Sequence, residues 1–183
     1  MIELKMSSNS KSVIADIDAM IDGIQDKATM RAINRTVDAI ATEGNRAVRK
    51  VYKINAREVS KSITKKKSFM KQAVMSGSVI FSGRGLNLAE FSARQTKKGV
   101  SVQVMVQGGR KTISGTFLAT NTGNGFRGVF KRVGRSRYPI KNLRSISVPQ
   151  AVRNEVVDKA IRKVADETFL KTFAQQMAFL RRR

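Results

Sequence analysis

Histidine, cysteine and tryptophan are absent from this sequence of 183 residues, proline occurs twice, and acidic residues number only 13. Without His or Cys there is no Ser-His-Asp or Cys-His nucleophile, no ordinary zinc site, no His-ligated haem and no disulfide framework. With no Trp, and only Tyr52 and Tyr138 beside nine Phe, free aromatic rings are few. The Phe residues fall at core-like positions, so the sequence predicts no stacking platform for nucleic-acid bases. No apolar run approaches the roughly 20 residues of a membrane span, and Glu3, Asp16 and Asp18 stand where a signal peptide would carry its hydrophobic core. The chain is expected to be made and kept in a cytoplasm, with no membrane partner, and Asn34-Arg35-Thr36 then means nothing as a glycosylation sequon. No cofactor and no metal are expected.

What is present is positive charge. Lys and Arg total 36, giving a formal net charge of +23, far beyond what solubility requires, so the chain needs an anionic partner or neighbour. Its 41% hydrophobic content is too high for a wholly disordered basic tail, and its length suits one domain with helical extensions. The surplus is unevenly spread. Residues 1–60 carry a net +2, residues 61–149 carry 18 basic side chains against the single acid Glu90, and residues 150–183 carry a net +4.

The segment 1–64 reads as helical. Val13, Ile17, Met20, Ile21, Ile24, Ile33, Val37, Ile40, Val48 and Val51 recur at helical spacing, with possible interruptions at Asp22-Gly23 and Gly44-Asn45. A short helix from Asn55 to Ile63 follows, capped by Asn55 with Glu58 as its capping-box partner. Segment 65–146 reads as a basic antiparallel sheet. Val100, Val102, Val104 and Val106 alternate with polar residues, the period of a half-buried strand. Ala73, Met75, Val79 and Phe81 suggest a strand before it. Gly108-Gly109 suggests a tight hairpin returning through Arg110 to Ala119 with Ile113 and Phe117 inward, and Gly128 to Val133 suggests a further strand. Segment 147–183 reads as one long helix, opened by Ser147, Pro149 and Gln150 and closed by Arg181, Arg182 and Arg183, about 33 residues and about 50 Å long. Its apolar stripe is Val152, Val156, Ile161, Val164, Phe169, Phe173, Met177 and Leu180, longer than the sheet it can cover, which suggests an oligomer. The expected class is α+β: an antiparallel sheet of three to four strands flanked by long N-terminal and C-terminal helices, all in one structural domain.

Motifs for chemistry are weak. Gly123-Asn124-Gly125-Phe126-Arg127-Gly128 matches a dinucleotide-binding pattern literally, but a strand pattern follows it where a helix is required, so it reads as a loop. Asp16, Asp18, Asp22 and Asp26 read as the solvent face of a helix, and Glu90 as a local partner of Arg94. Phosphodiester chemistry by metal ions needs clustered carboxylates, which the basic segment lacks, so no enzyme activity is expected. The residues expected to face DNA or an acidic partner are Lys97, Lys98, Arg110, Lys111, Arg127, Lys131, Arg132, Arg135 and Arg137, with Arg181, Arg182 and Arg183 behind them. Charge density alone selects them, and phosphate contact without base reading is the expected mode.

The pieces Phe91-Ser92-Ala93-Arg94-Gln95, Lys97-Lys98-Gly99-Val100-Ser101-Val102, Gly115-Thr116-Phe117-Leu118, Gly128-Val129-Phe130-Lys131-Arg132, Tyr138-Pro139-Ile140-Lys141-Asn142-Leu143 and Ser147-Val148-Pro149-Gln150 occur in this order. Over roughly residues 30–160 they resemble the minor tail protein Z family of tailed bacteriophages. The resemblance implies a structural virion protein, a tail completion component at the head-proximal end of the tail. It further implies a homohexameric ring at the head–tail junction around the DNA channel. The implied partners are the tail tube with its terminator, the head–tail connector and the phage DNA. A cytoplasmic nucleic-acid-binding module is the alternative that the charge by itself would allow.

Overall fold

The computed structural model describes residues 10–69 and 75–182, with side chains from residue 22 onward. Helix α1 runs unbroken over Ser10–Val51, and α4 over Glu155–Leu180 lies antiparallel to it. Arg31 Nη1 donates to Gln176 Oε1 at 2.9 Å near one end of the pair, and Asn154 Nδ2 reaches the Tyr52 hydroxyl at 3.4 Å near the other. Small residues set the seam: Ala28, Ala32, Ala41 and Ala47 are buried along α1 together with Val37 and Val48. Alanines let the backbones approach and escape a search for large apolar residues.

Neither suspected interruption breaks α1. At Gly44 a side chain would place its Cβ 2.6 Å from Phe81 Cζ, so this glycine serves the close approach of the strand that ends at Phe81. Gly23 has open space around it. Asn55 caps α2, Ala56–Lys61, by accepting from the Arg57 amide at 3.1 Å, whereas the Glu58 carboxylate takes Lys61 Nζ at 2.6 Å.

The sheet segment divides into three antiparallel sheets. Strand β1, Ile63–Lys66, pairs with β2, Ser78–Phe81. Strands β3, Arg94–Thr96, β4, Gly99–Val102, and β5, Lys111–Ser114, form the second sheet in that order. Strands β6, Thr116–Thr120, β7, Arg127–Arg132, and β8, Ile140–Asn142, form the third. The expected strand through Ala73 falls partly outside the described residues, and only Ser78–Phe81 of it is extended.

Three expectations are corrected here. The strand at Val100 is short and buried on both faces, because Val100, Ser101 and Val102 lie under neighbouring elements, and the chain then leaves it so that Met105 bridges Tyr52. Gly108-Gly109 makes no tight hairpin: among the described residues the glycines with positive φ are Gly83, Gly99, Gly115 and Gly125, and residues 103–110 form a wider connection. The return strand is split at Gly115, φ 68°, so that β5 pairs with β4 and β6 with β7. This turn shifts the side-chain phase by one residue, and a one-residue shift exchanges the faces of a strand. Ile113 and Leu118 pack on the core, while Phe117 points to the other side.

The C-terminal helix is likewise divided. Ser147 forms the expected capping box with Gln150, but it opens only α3, Val148–Val152. Asn154 caps α4 afresh, accepting from the Val156 amide at 3.1 Å. The restart shifts the apolar stripe: Val157 is buried and Val156 is exposed. At roughly 1.5 Å per residue α4 is about 39 Å long, not 50 Å.

The core sits where all these parts meet, around Phe91, Val48, Val59, Val100, Val129, Val148 and Val157, each fully buried. The second and third sheets therefore cluster at the C-terminal end of α1, the β1–β2 sheet runs back along α1 as far as Asn34, where Ser68 bonds it, and the α1–α4 pair extends beyond as a stalk. Asp38 on this stalk accepts Lys65 Nζ at 2.8 Å and Lys67 Nζ at 2.9 Å, and these two donors hold its carboxyl below the usual aspartate range. A folded-state pKa below the unfolded one contributes stability that is complete above about pH 4 and is lost as pH falls through the folded value. We expect a Asp38→Asn variant to show a flatter loss of stability below pH 4 in acid titration followed by circular dichroism. The difference should be small, because the site is half-exposed and screened.

Candidate nucleic-acid interface

Glycine geometry places the first two cations. Gly99 holds φ 149° at the head of β4, and a Cβ there would stand 2.0 Å from the Ile113 carbonyl oxygen. The β3–β4 turn before it is closed by the pairing of Thr96 with Gly99, and it exposes Lys97 and Lys98. The Gly115 amide donates to the Lys98 carbonyl at 3.3 Å, which ties this turn to the start of β6. Across the third sheet Thr116, Lys131 and Lys141 are direct neighbours. Directly opposed like charges destabilise a sheet, so the Lys131–Lys141 pair stands against the local energetics. Lys141 is a cation that charge clustering along the chain did not single out.

Arg127, Lys131 and Arg132 lie on β7, and Arg135 and Arg137 in the loop that leaves it. All are exposed, as is Lys111 at the start of β5. Among the described residues the ion pairs are Glu43–Arg46, Glu58–Lys61, Asp38 with Lys65 and Lys67, Glu155–Lys159, Asp158–Arg162 and Glu167–Lys163. Every one lies on the helices or on β1 and the residues just after it. Glu90 and Arg94 form none. The surface from Lys97 to Lys141 thus carries its positive charge without acidic partners.

Arg110 differs from the rest. Its Nε donates to Ser101 Oγ at 3.1 Å, and its Nη2 to the carbonyls of Ser92 at 2.5 Å and Ser101 at 2.8 Å. It is a brace between the wide 103–110 connection and the start of the second sheet. Replacing it with Gln should lower stability by about 1–3 kcal/mol, because the acceptors lose a charged donor. The salt dependence of DNA retention on a column should change less than for Lys97→Gln. Arg181 and Arg182 are placed elsewhere again. They close α4, which starts beside Tyr52 and runs away from the sheets, so they lie at the far end of the stalk. Arg183 lies outside the described residues. The sequence therefore groups cations that the fold separates.

The stalk has cations of its own. A groove of about 890 Å³ between α1 and α4 is lined by Arg31, Arg35 and Lys171 with Gln175 and Gln176. A second of about 470 Å³ is lined by Arg46, Arg49 and Lys65. The spacing of Arg31, Arg35, Arg46 and Arg49 along one helix could have shown this stripe, but acids earlier in the chain hold the net charge of residues 1–60 near zero.

The aromatic residues overturn a further expectation. Phe117, Phe126 and Phe130 lie outside the core, on the outer face of the third sheet: Phe117 and Phe130 are opposite each other with ring centroids 6.0 Å apart, and Phe126 meets Phe130 edge-on at 6.4 Å. The glycine-rich sequence around Phe126 is a loop between β6 and β7, held by Asn121 Oδ1 on the Gly123 amide and Asn124 Oδ1 on the Phe126 amide, and a strand follows it. No group of His, Cys, Asp or Glu among the described residues is arranged to hold a metal ion. No helix among them is long and apolar enough to cross a membrane.

No curated protein and no solved structure matches the chain. The family model described as prophage minor tail protein Z (GPZ) matches residues 10–183, and the chain belongs to that family of structural phage tail proteins.

Proposed function

We propose that this minor tail protein is a non-enzymatic tail completion component. Six copies form a ring at the head-proximal end of the tail, between the tail tube with its terminator and the head–tail connector. The basic sheet end of each subunit faces the DNA that passes through the ring, and the stalk of α1 and α4 builds contacts between subunits and with the tail. The observation that carries this reading is the charge arrangement: among the described residues every ion pair lies on the helices or at β1, and the cations from Lys97 to Lys141 have no acidic partner. A polyanion passing through the ring supplies the missing counter-charge without any need for base contacts.

The test is the mass of the purified protein in solution, alone and with short duplex DNA, at low and moderate salt, with addition to tails that lack it. A hexamer, or a monomer that assembles only on such tails, is the expected result. A stable monomer that binds free DNA tightly and ignores tails would replace this reading with a cytoplasmic nucleic-acid-binding module.

A further inference from the structure

The outer face of the third sheet combines an aromatic cluster with cations. Phe117, Phe126 and Phe130 form a contiguous ring cluster on it, and Phe126 remains 42% exposed. A Cβ at Gly128 would stand 2.8 Å from Phe130 and 3.0 Å from Phe126, so this glycine makes the floor on which both rings lie. The Arg132 guanidinium lies 5.7 Å from the Phe117 ring centre, on the same face, and Ile140 opposite Arg132 is also exposed. At the edge, Arg137 sits 5.9 Å from the ring centre of Tyr138, which is 67% exposed. Residues 126–144 contain seven basic side chains and no acid; of these Arg132 lies on this face, whereas Arg127, Lys131 and Lys141 fall on the other face of the sheet with Val129.

Each feature alone has an ordinary explanation. Rings can cap the outer face of a small sheet, and cations can be solvated. Together they select the chemistry of the partner. An apolar protein surface would leave the cations unneutralised, and a second copy of this chain brings a further +23. Duplex phosphates would satisfy the cations and leave the rings idle, because paired bases keep their faces stacked on one another. A nucleic-acid strand with unpaired bases satisfies both, since its phosphates meet the arginines and its bases stack on aromatic rings whatever their identity.

We propose that this face binds single-stranded nucleic acid, with Phe126 and Phe130 as stacking surfaces and Arg132 and Arg137 on the backbone phosphates. The inference rests on the reading that the basic end of the protein meets DNA, and adds that part of this end takes unpaired bases. In a tail protein such a site would hold a frayed or overhanging DNA end.

The chain has no Trp, so Phe126→Trp introduces a single fluorescent ring at the site. In the full-length protein, a twelve-nucleotide thymidine oligomer is expected to quench this Trp as it binds, while a duplex of equal length binds without quenching. In anisotropy titrations, Phe126→Ala and Phe130→Ala should each weaken the single strand about 5- to 100-fold and leave duplex affinity within about twofold. Unchanged single-strand affinity in Phe126→Ala, together with an unquenched Trp, would overturn the proposal and leave the rings as a cap on the sheet, with duplex binding by the cations intact. Equal quenching by polyglutamate would overturn it in favour of an acidic protein partner. If the unsubstituted protein binds neither oligomer at moderate salt, the DNA-facing reading falls with it. Phe126 is on the surface, so the Trp variant keeps the test open even if Phe130→Ala unfolds.

Discussion

Replacing Lys97, Lys98, Lys111, Arg127, Lys131, Arg135 and Arg137 together by Gln is expected to abolish duplex DNA retention at moderate salt while leaving the protein folded. The electrostatic part of binding depends on how many phosphates are neutralised. Each lost contact lowers the slope of log affinity against log salt by about 0.9, and 6–10 contacts correspond to roughly 10³–10⁵ in affinity between 50 and 200 mM salt. None of these seven side chains makes an ion pair among the described residues, and all are exposed. Exposed substitutions of this kind usually change stability by less than about 0.5 kcal/mol each. Relief of the Lys131–Lys141 repulsion acts in the stabilising direction. The measurements are a salt titration of DNA affinity, a thermal melt, and the plaque yield of phage carrying the substitutions. An unchanged salt slope would show that the cations do not meet phosphates, and an unchanged plaque yield would show that they do not matter for infection.

The second large effect concerns a residue with no side chain. Gly99→Ala would bring a Cβ to 2.0 Å from the Ile113 carbonyl oxygen at φ 149°, a conformation that L residues rarely adopt. The obstacle is backbone in the partner strand, which cannot rotate aside as a side chain would. Relief requires β4 and β5 to part, and with them Val100 opposite Ile113, a fully buried member of the core. A loss of more than about 3 kcal/mol is expected, a large share of the roughly 5–15 kcal/mol that holds a domain together. Gly109→Ala is the matched control. Its Cβ would meet nothing within 4 Å and its φ is not positive, so the change should be neutral or add up to about 1 kcal/mol. Chemical denaturation of the two variants gives the comparison. Similar midpoints would contradict the close approach of β4 and β5 at Gly99.

These glycines also show why the sequence disclosed the fold unevenly. The apolar period around Ile33–Val51 and the cap at Ser147 were legible because local rules decide them, whereas the restart of the last helix at Asn154 was not. The α+β class followed from helical ends around an alternating middle, and it stands. What local rules do not carry is a phase shift: Gly115 turns Phe117 outward and Leu118 inward, and nothing in the alternation of residues announces where one strand becomes two. The same shift hid the aromatic face. The seam of the stalk was hidden for a different reason, since Ala28 and Ala32 are buried by virtue of being small. Charge was legible as a quantity but not as a surface. Arg110 is spent on three internal hydrogen bonds, Arg181 and Arg182 lie at the other end of the molecule, and Lys141 completes a row across the sheet that linear clustering does not reveal.

The most direct test of the tail completion account is reconstitution. Tails assembled without this protein would be mixed with the purified, gold-labelled chain, and its copy number and position read by electron microscopy alongside the recovery of joined heads. The account predicts six copies confined to the head-proximal end and restored head joining. Copies spread along the tube, a label at the distal tip, or full head joining without the protein would contradict it.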